Sequence, residues 1–165
     1  MTYIDFIYTP EELSNPDAWI RKAGSYHAAS VYLLEKHQTE VVDGEPLENI
    51  SLILNAISAT PYLTALALEL YMKGYLVLKG YDIKSIKSFN HNIENLRVEC
   101  MGIDERWNNN SLCFVCDKLG KYIMGVKDEK WTSGGNRYPQ IRDLPIYFEE
   151  FKDALVAALT IVKDR

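Results

Sequence analysis

The densest run of apolar positions extends from Tyr62 to Leu78, and from Ala65 to Gly80 it is apolar almost all the way round a helix. Such a helix is buried on most sides. It nonetheless carries Glu69 and Lys73, four residues apart on one face and in the favourable order, glutamate first. A buried helix with one charged stripe is either a core helix with a tolerated ion pair or the wall of a polar site. Thr60-Pro61 suits its first turn, because proline has no amide hydrogen to leave unpaired there, and Gly80 is a natural left-handed stop.

The same periodicity places its neighbours. Ser14-Asn15-Pro16-Asp17 predicts a helix start, and the helix runs to about Gln38 with Trp19 or Ile20, Ala23, Tyr26, Ser30 and Leu33 or Leu34 on one buried stripe. A loop over 39–46 separates it from a helix beginning near Leu47, with Ile50, Ile53 or Leu54 and Ile57 at helical spacing. Ser88 is expected to cap a helix reaching about Met101, with His91 near its start, and Asn110 to cap one through Leu112, Val115, Leu119 and Ile123. Residues 125–142 hold Ser133-Gly134-Gly135-Asn136 and no helical period, which predicts a long loop. The last helix, from near Leu144-Pro145, has the cleanest stripe: Tyr147 or Phe148, Phe151, Ala154 or Leu155, Ala158 or Leu159, and Val162.

No repeat and no strand-like alternation appears. The predicted fold is therefore all-α, an up-and-down bundle of four or five core helices with one long loop before the last. At 165 residues it makes a single domain over 1–165, with residues 1–9 as an apolar N-terminal arm.

Charge and cysteine usage narrow the function classes. A net charge of −5 argues against a broad nucleic-acid surface but leaves room for a local basic pocket. Glu69 and Lys73 interrupt the longest apolar stretch, which falls short of a comfortable membrane span. Met1-Thr2-Tyr3-Ile4 lacks the basic start of a signal peptide, and an odd count of three cysteines implies reduced thiols, so a cytoplasmic location is expected.

Four constellations carry possible chemistry. Glu69, Lys73 and His91 form the first; a histidine facing the positive end of a helix is expected to be neutral, and beside a glutamate and a lysine it could hold a phosphate or move a proton. The plainer alternative is a polar girdle that fixes helix register. Cys113-Phe114-Val115-Cys116 puts two thiols on one helical face, yet nothing completes a zinc site, so buried core cysteines are expected and no metal or cofactor is called for. Arg21 and His27 satisfy a loose arginine–histidine spacing but lie about a third of a turn apart on a helix, which reads as accident. Arg137 offers a bidentate grip on phosphate and Tyr138 a stacking surface, within a stretch that otherwise reads as a solvated loop.

Three pieces in order resemble the HEPN family of helical-bundle domains over about residues 61–163. They are Leu66-Ala67-Leu68-Glu69-Leu70-Tyr71-Met72-Lys73-Gly74-Tyr75-Leu76, then His91-Asn92-Ile93-Glu94-Asn95-Leu96, then Asn136-Arg137-Tyr138-Pro139 before a long amphipathic helix. The resemblance implies a cytoplasmic helical bundle that forms a homodimer and works in nucleotide or RNA biology. It also implies a nucleotide, single-stranded RNA, a nucleotidyltransferase or another protein as partner; that no membrane is a partner is expected from the short apolar stretch. Catalytic members of the family resemble one another in an arginine four to six residues before a histidine. Here Lys84 and Lys87 precede His91 instead, and lysine lacks the planar guanidinium fork. The expectation is thus a non-catalytic binding bundle whose ligand meets Glu69, Lys73, His91, Arg137 and Tyr138. The alternatives are a metal-independent ribonuclease using His91 with Lys84, Lys87 or Arg137, and a structural adaptor.

Overall fold

The structure, a computed structural model, describes residues 9–42, 59–123 and 147–164. Among them are seven α-helices and no strand, so the chain is an all-α helical bundle. In chain order these are α1 (Pro10–Ser14), α2 (Pro16–Val42), α3 (Thr60–Leu78), α4 (Ile83–Ser88), α5 (Ile93–Ile103), α6 (Asn110–Ile123) and α7 (Phe148–Lys163), with a 3-10 turn at Glu105–Asn108. No helix of the described residues is long and apolar enough to cross a membrane. The helix expected from Leu47, the loop 125–142 with Arg137 and Tyr138, and residues 1–8 of the arm lie outside the described residues.

The apolar run becomes α3, and it is the axis of the bundle. It packs against α2 along most of its length and also touches α4, α5, α6 and α7. Ala65, Ala67, Leu68, Tyr71, Met72 and Leu76 are fully buried on it, which accounts for a helix apolar on every side. It stops as the sequence requires: Gly80 takes φ +91°, its amide donates to the Val77 carbonyl, and Tyr81 donates to Leu76 at 3.0 Å. That pair of bonds satisfies carbonyls the helix end would otherwise leave open.

α2 begins at Pro16 and runs without a breaker past Gln38 to Val42, so residues 39–42, expected to open a loop, are helical instead. Trp19, Ala23, Ser30 and Leu34 bury its inner face. The Trp19 indole donates to the Leu13 carbonyl at 2.8 Å and ties α1 to it, while Ser30 and Thr64 share a buried 2.7 Å hydrogen bond across α2 and α3. α7 buries Phe148, Phe151, Ala154, Leu155, Ala158 and Val162, the stripe its sequence predicts.

One stretch departs from expectation. Ser88 does not cap a helix to Met101; it ends the six-residue α4, and its hydroxyl donates to the Ser85 carbonyl at 2.7 Å. A turn follows in which Asn90 takes a left-handed φ of 49°, and Asn92 caps α5 by accepting from the Asn95 amide at 3.0 Å. Asn109, not Asn110, likewise caps α6, accepting from Ser111 at 2.9 Å. His91 therefore sits in the turn between two helices, one residue outside the cap.

Gly74 is the closest approach of α2 to α3. A Cβ there would lie 3.0 Å from Ile20 Cγ1 and Trp19 Cβ and 3.3 Å from the Pro16 carbonyl oxygen. Two of those contacts involve atoms held on the first turns of α2, which cannot swing away. Gly74→Ala is expected to destabilise the fold by roughly 1–3 kcal/mol, the usual cost of overpacking, despite alanine's better helix propensity. Urea unfolding checks this; an alanine variant as stable as the parent would mean that α2 is not seated on Gly74.

Candidate functional site

The first constellation assembles as one cluster. Glu69 and Lys73 share a face of α3, and the turn after α4 lays Asn90 and His91 across them. The Lys73 ammonium lies 2.6 Å from Glu69 Oε1 and donates to the Asn90 carbonyl at 2.7 Å. Both side chains are almost wholly buried, with relative exposures of 1% for Lys73 and 3% for Glu69. Asparagine tolerates the left-handed conformation better than most residues, which lets the Asn90 carbonyl turn in toward the ammonium.

His91 completes the cluster from outside. Its Nδ1 is 3.1 Å from Glu69 Oε2 and 3.2 Å from Oε1. A carboxylate only accepts, so Nδ1 carries the hydrogen, and Nε2 makes no hydrogen bond among the described residues. The ring is 59% exposed. The result is an oriented imidazole on the surface, a buried carboxylate behind it, and a buried ammonium behind that.

The charges set one another. The hydrogen bond to Glu69 raises the His91 pKa above its ordinary value; partial burial and Lys73 oppose this and the carboxylate's charge assists it. Burial alone would raise the Glu69 pKa, but the hydrogen bond from His91 and the charge and hydrogen bond of Lys73 outweigh it, holding the carboxyl below its usual range. The shift runs opposite to the one a helix N-terminus would impose on the ring, because the Glu69 carboxylate is in direct contact with it.

The residues named from sequence are therefore partly united. Glu69, Lys73 and His91 come together, and Arg137 and Tyr138 lie outside the described residues. Lys84 and Lys87 are exposed on α4, the helix that leads into the His91 turn. Lys73 faces inward: its ammonium reaches no surface and serves the turn.

The thiols stay apart from this chemistry. Cys100 and Cys116 are buried, burial pushes both thiols well above their ordinary range, and Cys113 is partly exposed with its sulfur 3.4 Å from Asn108 Oδ1. Among the described residues no three or more histidine, cysteine, aspartate or glutamate side chains gather as a metal set.

A second polar locus, across α3 from the first, was not expected. His27 on α2 is half-buried, and its Nδ1 lies 3.0 Å from the Tyr71 hydroxyl at the base of a cleft of about 660 Å³. Burial, with Lys163 assisting, lowers the His27 pKa, and burial pushes Tyr71 up to about 12, so both are neutral near pH 7. Arg21 also lines this cleft. The sequence signals were Gly24 and the Arg21–His27 spacing, which reads as accident in the sequence although both side chains line this cleft.

Compared with known proteins, the chain matches no family model, and neither curated proteins nor solved structures include a match to it.

The cluster carries a signed pH dependence. A raised histidine pKa stabilises the fold fully below the unfolded value of 6.5, and that contribution is lost as pH rises through the folded value. A lowered glutamate pKa stabilises above the unfolded value of 4.5 and is lost as pH falls through the folded one. The stability difference between parent and His91→Ala should thus be largest between these values and shrink on the alkaline side. Lys73→Ala, which leaves the buried Glu69 with His91 as its partner and the Asn90 carbonyl without its donor, should cost roughly 2–4 kcal/mol. Urea melts at several pH values test both; a His91→Ala difference flat from pH 5 to 9 would contradict the coupling.

Proposed function

We propose that this chain is a non-catalytic, HEPN-like helical bundle that binds the phosphate of a nucleotide or RNA segment at His91, acting in the cytoplasm as a homodimer. The observation that carries the reading is the exposed His91 ring, oriented and favoured in its protonated form by a buried Glu69 whose other partner is Lys73. An imidazolium held this way is a charge-assisted donor at a fixed point on the surface. Lys84 and Lys87, exposed on α4, add positive charge beside it in sequence. Glu69 and Lys73 act from behind, through the position and charge of the ring, and Arg137 and Tyr138 remain proposed ligand contacts on the resemblance alone.

Binding is favoured over catalysis for a physical reason. Cleavage of a phosphodiester needs a cation against the developing charge as well as a proton carrier. Lys73, the cation nearest His91 by contact, is sealed against Glu69 and Asn90. The second reading, a metal-independent ribonuclease, is favoured by one feature: a carboxylate orienting a histidine through Nδ1 leaves Nε2 placed to exchange a proton. The upward shift that Glu69 imposes moves the ring toward the acid role.

One titration separates them. Fluorescence anisotropy with a labelled single-stranded RNA octamer and with a labelled nucleotide should give binding at pH 6 that weakens about tenfold in His91→Gln, a loss typical of one charge-assisted hydrogen bond. Raising the pH to 8 should weaken the parent and leave His91→Gln little changed. Affinity indifferent to both changes would contradict the proposal. The same RNA incubated in chelator should remain intact; cleavage abolished by His91→Gln would establish the ribonuclease instead.

A further inference from the structure

The cleft between α2, α3 and α7 lies on the other side of the central helix from His91. Tyr71 at its base and Glu69 in the first cluster are two residues apart on α3, which separates their directions by about 200°. Ile20, Val31 and Leu159 make apolar walls, and Tyr32 stands at the edge with 59% of its surface exposed. A volume near 660 Å³ is in the range that holds a small organic molecule.

Its polar groups are unevenly placed. Arg21 on α2 and Lys163 in the last turn of α7 both line the cleft and neither forms an ion pair among the described residues. The Arg21 Nε makes only a long bond, 3.4 Å, to the Asp17 carbonyl. His27 and Tyr71 offer hydrogen-bonding atoms at the base without charge. One carboxylate, Glu35, also lines the cleft, but it lies fourteen residues from Arg21, about 21 Å along the same helix. The Arg21 end of the cleft therefore has no lining carboxylate, and the charge of Lys163 acts at His27.

Gly24 keeps the floor open. Gly74 is a glycine because two side chains and a carbonyl crowd it, but a Cβ on Gly24 would meet only the Tyr71 hydroxyl, at 4.0 Å. Packing does not require a glycine there, and within a helix glycine weakens the fold relative to alanine. A larger side chain would project over the His27–Tyr71 pair.

We propose that this cleft is a binding site for a small organic acid, an apolar or aromatic body carrying one anionic group held by Arg21 and Lys163 over the His27–Tyr71 pair. The site is independent of the His91 reading, since it uses other residues on the other side of α3. Its apolar walls receive the body and its two lining cations receive the anion. A bare inorganic ion gains nothing from Ile20, Val31 and Leu159, and a neutral apolar body gains nothing from the two cations.

The test uses two fluorescent probes that differ by one sulfonate: 8-anilinonaphthalene-1-sulfonate and the neutral N-phenyl-1-naphthylamine. The native chain at pH 7 should bind one equivalent of the sulfonate, and bind it more tightly than the neutral probe. Arg21→Gln combined with Lys163→Gln should weaken the sulfonate about tenfold and leave the neutral probe unchanged, as expected for losing charge-assisted bonds alone. Gly24→Leu should exclude both probes while Gly24→Ala keeps them, with circular dichroism confirming that each variant is folded. If Gly24→Leu unfolds, the Arg21 and Lys163 variant, both changes being on the surface, decides alone. Decanoate should displace the sulfonate probe, and inorganic phosphate should not. Equal affinity for the two probes, displacement by phosphate alone, or probe binding undisturbed by a folded Gly24→Leu would each overturn the proposal. So would a Gly24→Leu variant that turns a dimer into a monomer when the parent binds no probe, because a second copy of the chain would then fill the cleft.

Discussion

The arrangement turns on an ammonium that has left water. Lys73 is enclosed on α3, with one hydrogen bond to Glu69 and one to the Asn90 carbonyl. Removing a charge from water costs several kcal/mol, and such a group persists only where its partners are fixed and close. The first partner is fixed because it lies one turn earlier on the same helix. The second is a backbone carbonyl, so the cost is met only if the chain between α4 and α5 folds back over α3. Lys73 thus converts a property of one helix into a constraint on a turn seventeen residues later.

That constraint explains the form of the surface above it. Asn90 adopts a left-handed conformation, Asn92 caps α5, and His91 between them is delivered to the Glu69 carboxylate. Comparable devices hold α5 and the turn that follows it. Arg97 bonds both Glu94 oxygens and the Trp107 carbonyl, and Arg106 joins Asp104 to Asp164 at the end of α7. These arginines spend their donors on the fold. Among the first cluster's groups, the His91 ring is the part still offered to solvent, which is why the functional reading rests on it.

Legibility in the sequence followed how local each cause was. The span of α3, the inner stripe of α2 and the buried face of α7 were readable because periodicity, Pro61 and Gly80 all act within a few residues. The pairing of Glu69 with Lys73 was readable for the same reason. The His91 turn was not: Ser88 and Asn92 are equally good caps on paper, and what selects Asn92 is the reach of Lys73 from another helix. The direction in which the His91 pKa moves was hidden on the same ground, since a helix end is visible in sequence and a carboxylate arriving from α3 is not. The cleft was hidden more deeply. Arg21 and His27 point a third of a turn apart and so read as accident, and Tyr71 and Lys163 come from distant segments, so that spacing and the unneeded Gly24 were all that marked the place.

The most direct measurement is the titration of the His91 imidazole by nuclear magnetic resonance, in the parent chain and in Glu69→Gln. If the buried carboxylate holds and charges the ring, His91 in the parent titrates above 6.5, with its hydrogen on Nδ1, and Glu69→Gln lowers that midpoint. A ring that titrates at its ordinary value in both proteins would contradict the account, because His91 would then be an unguided surface side chain.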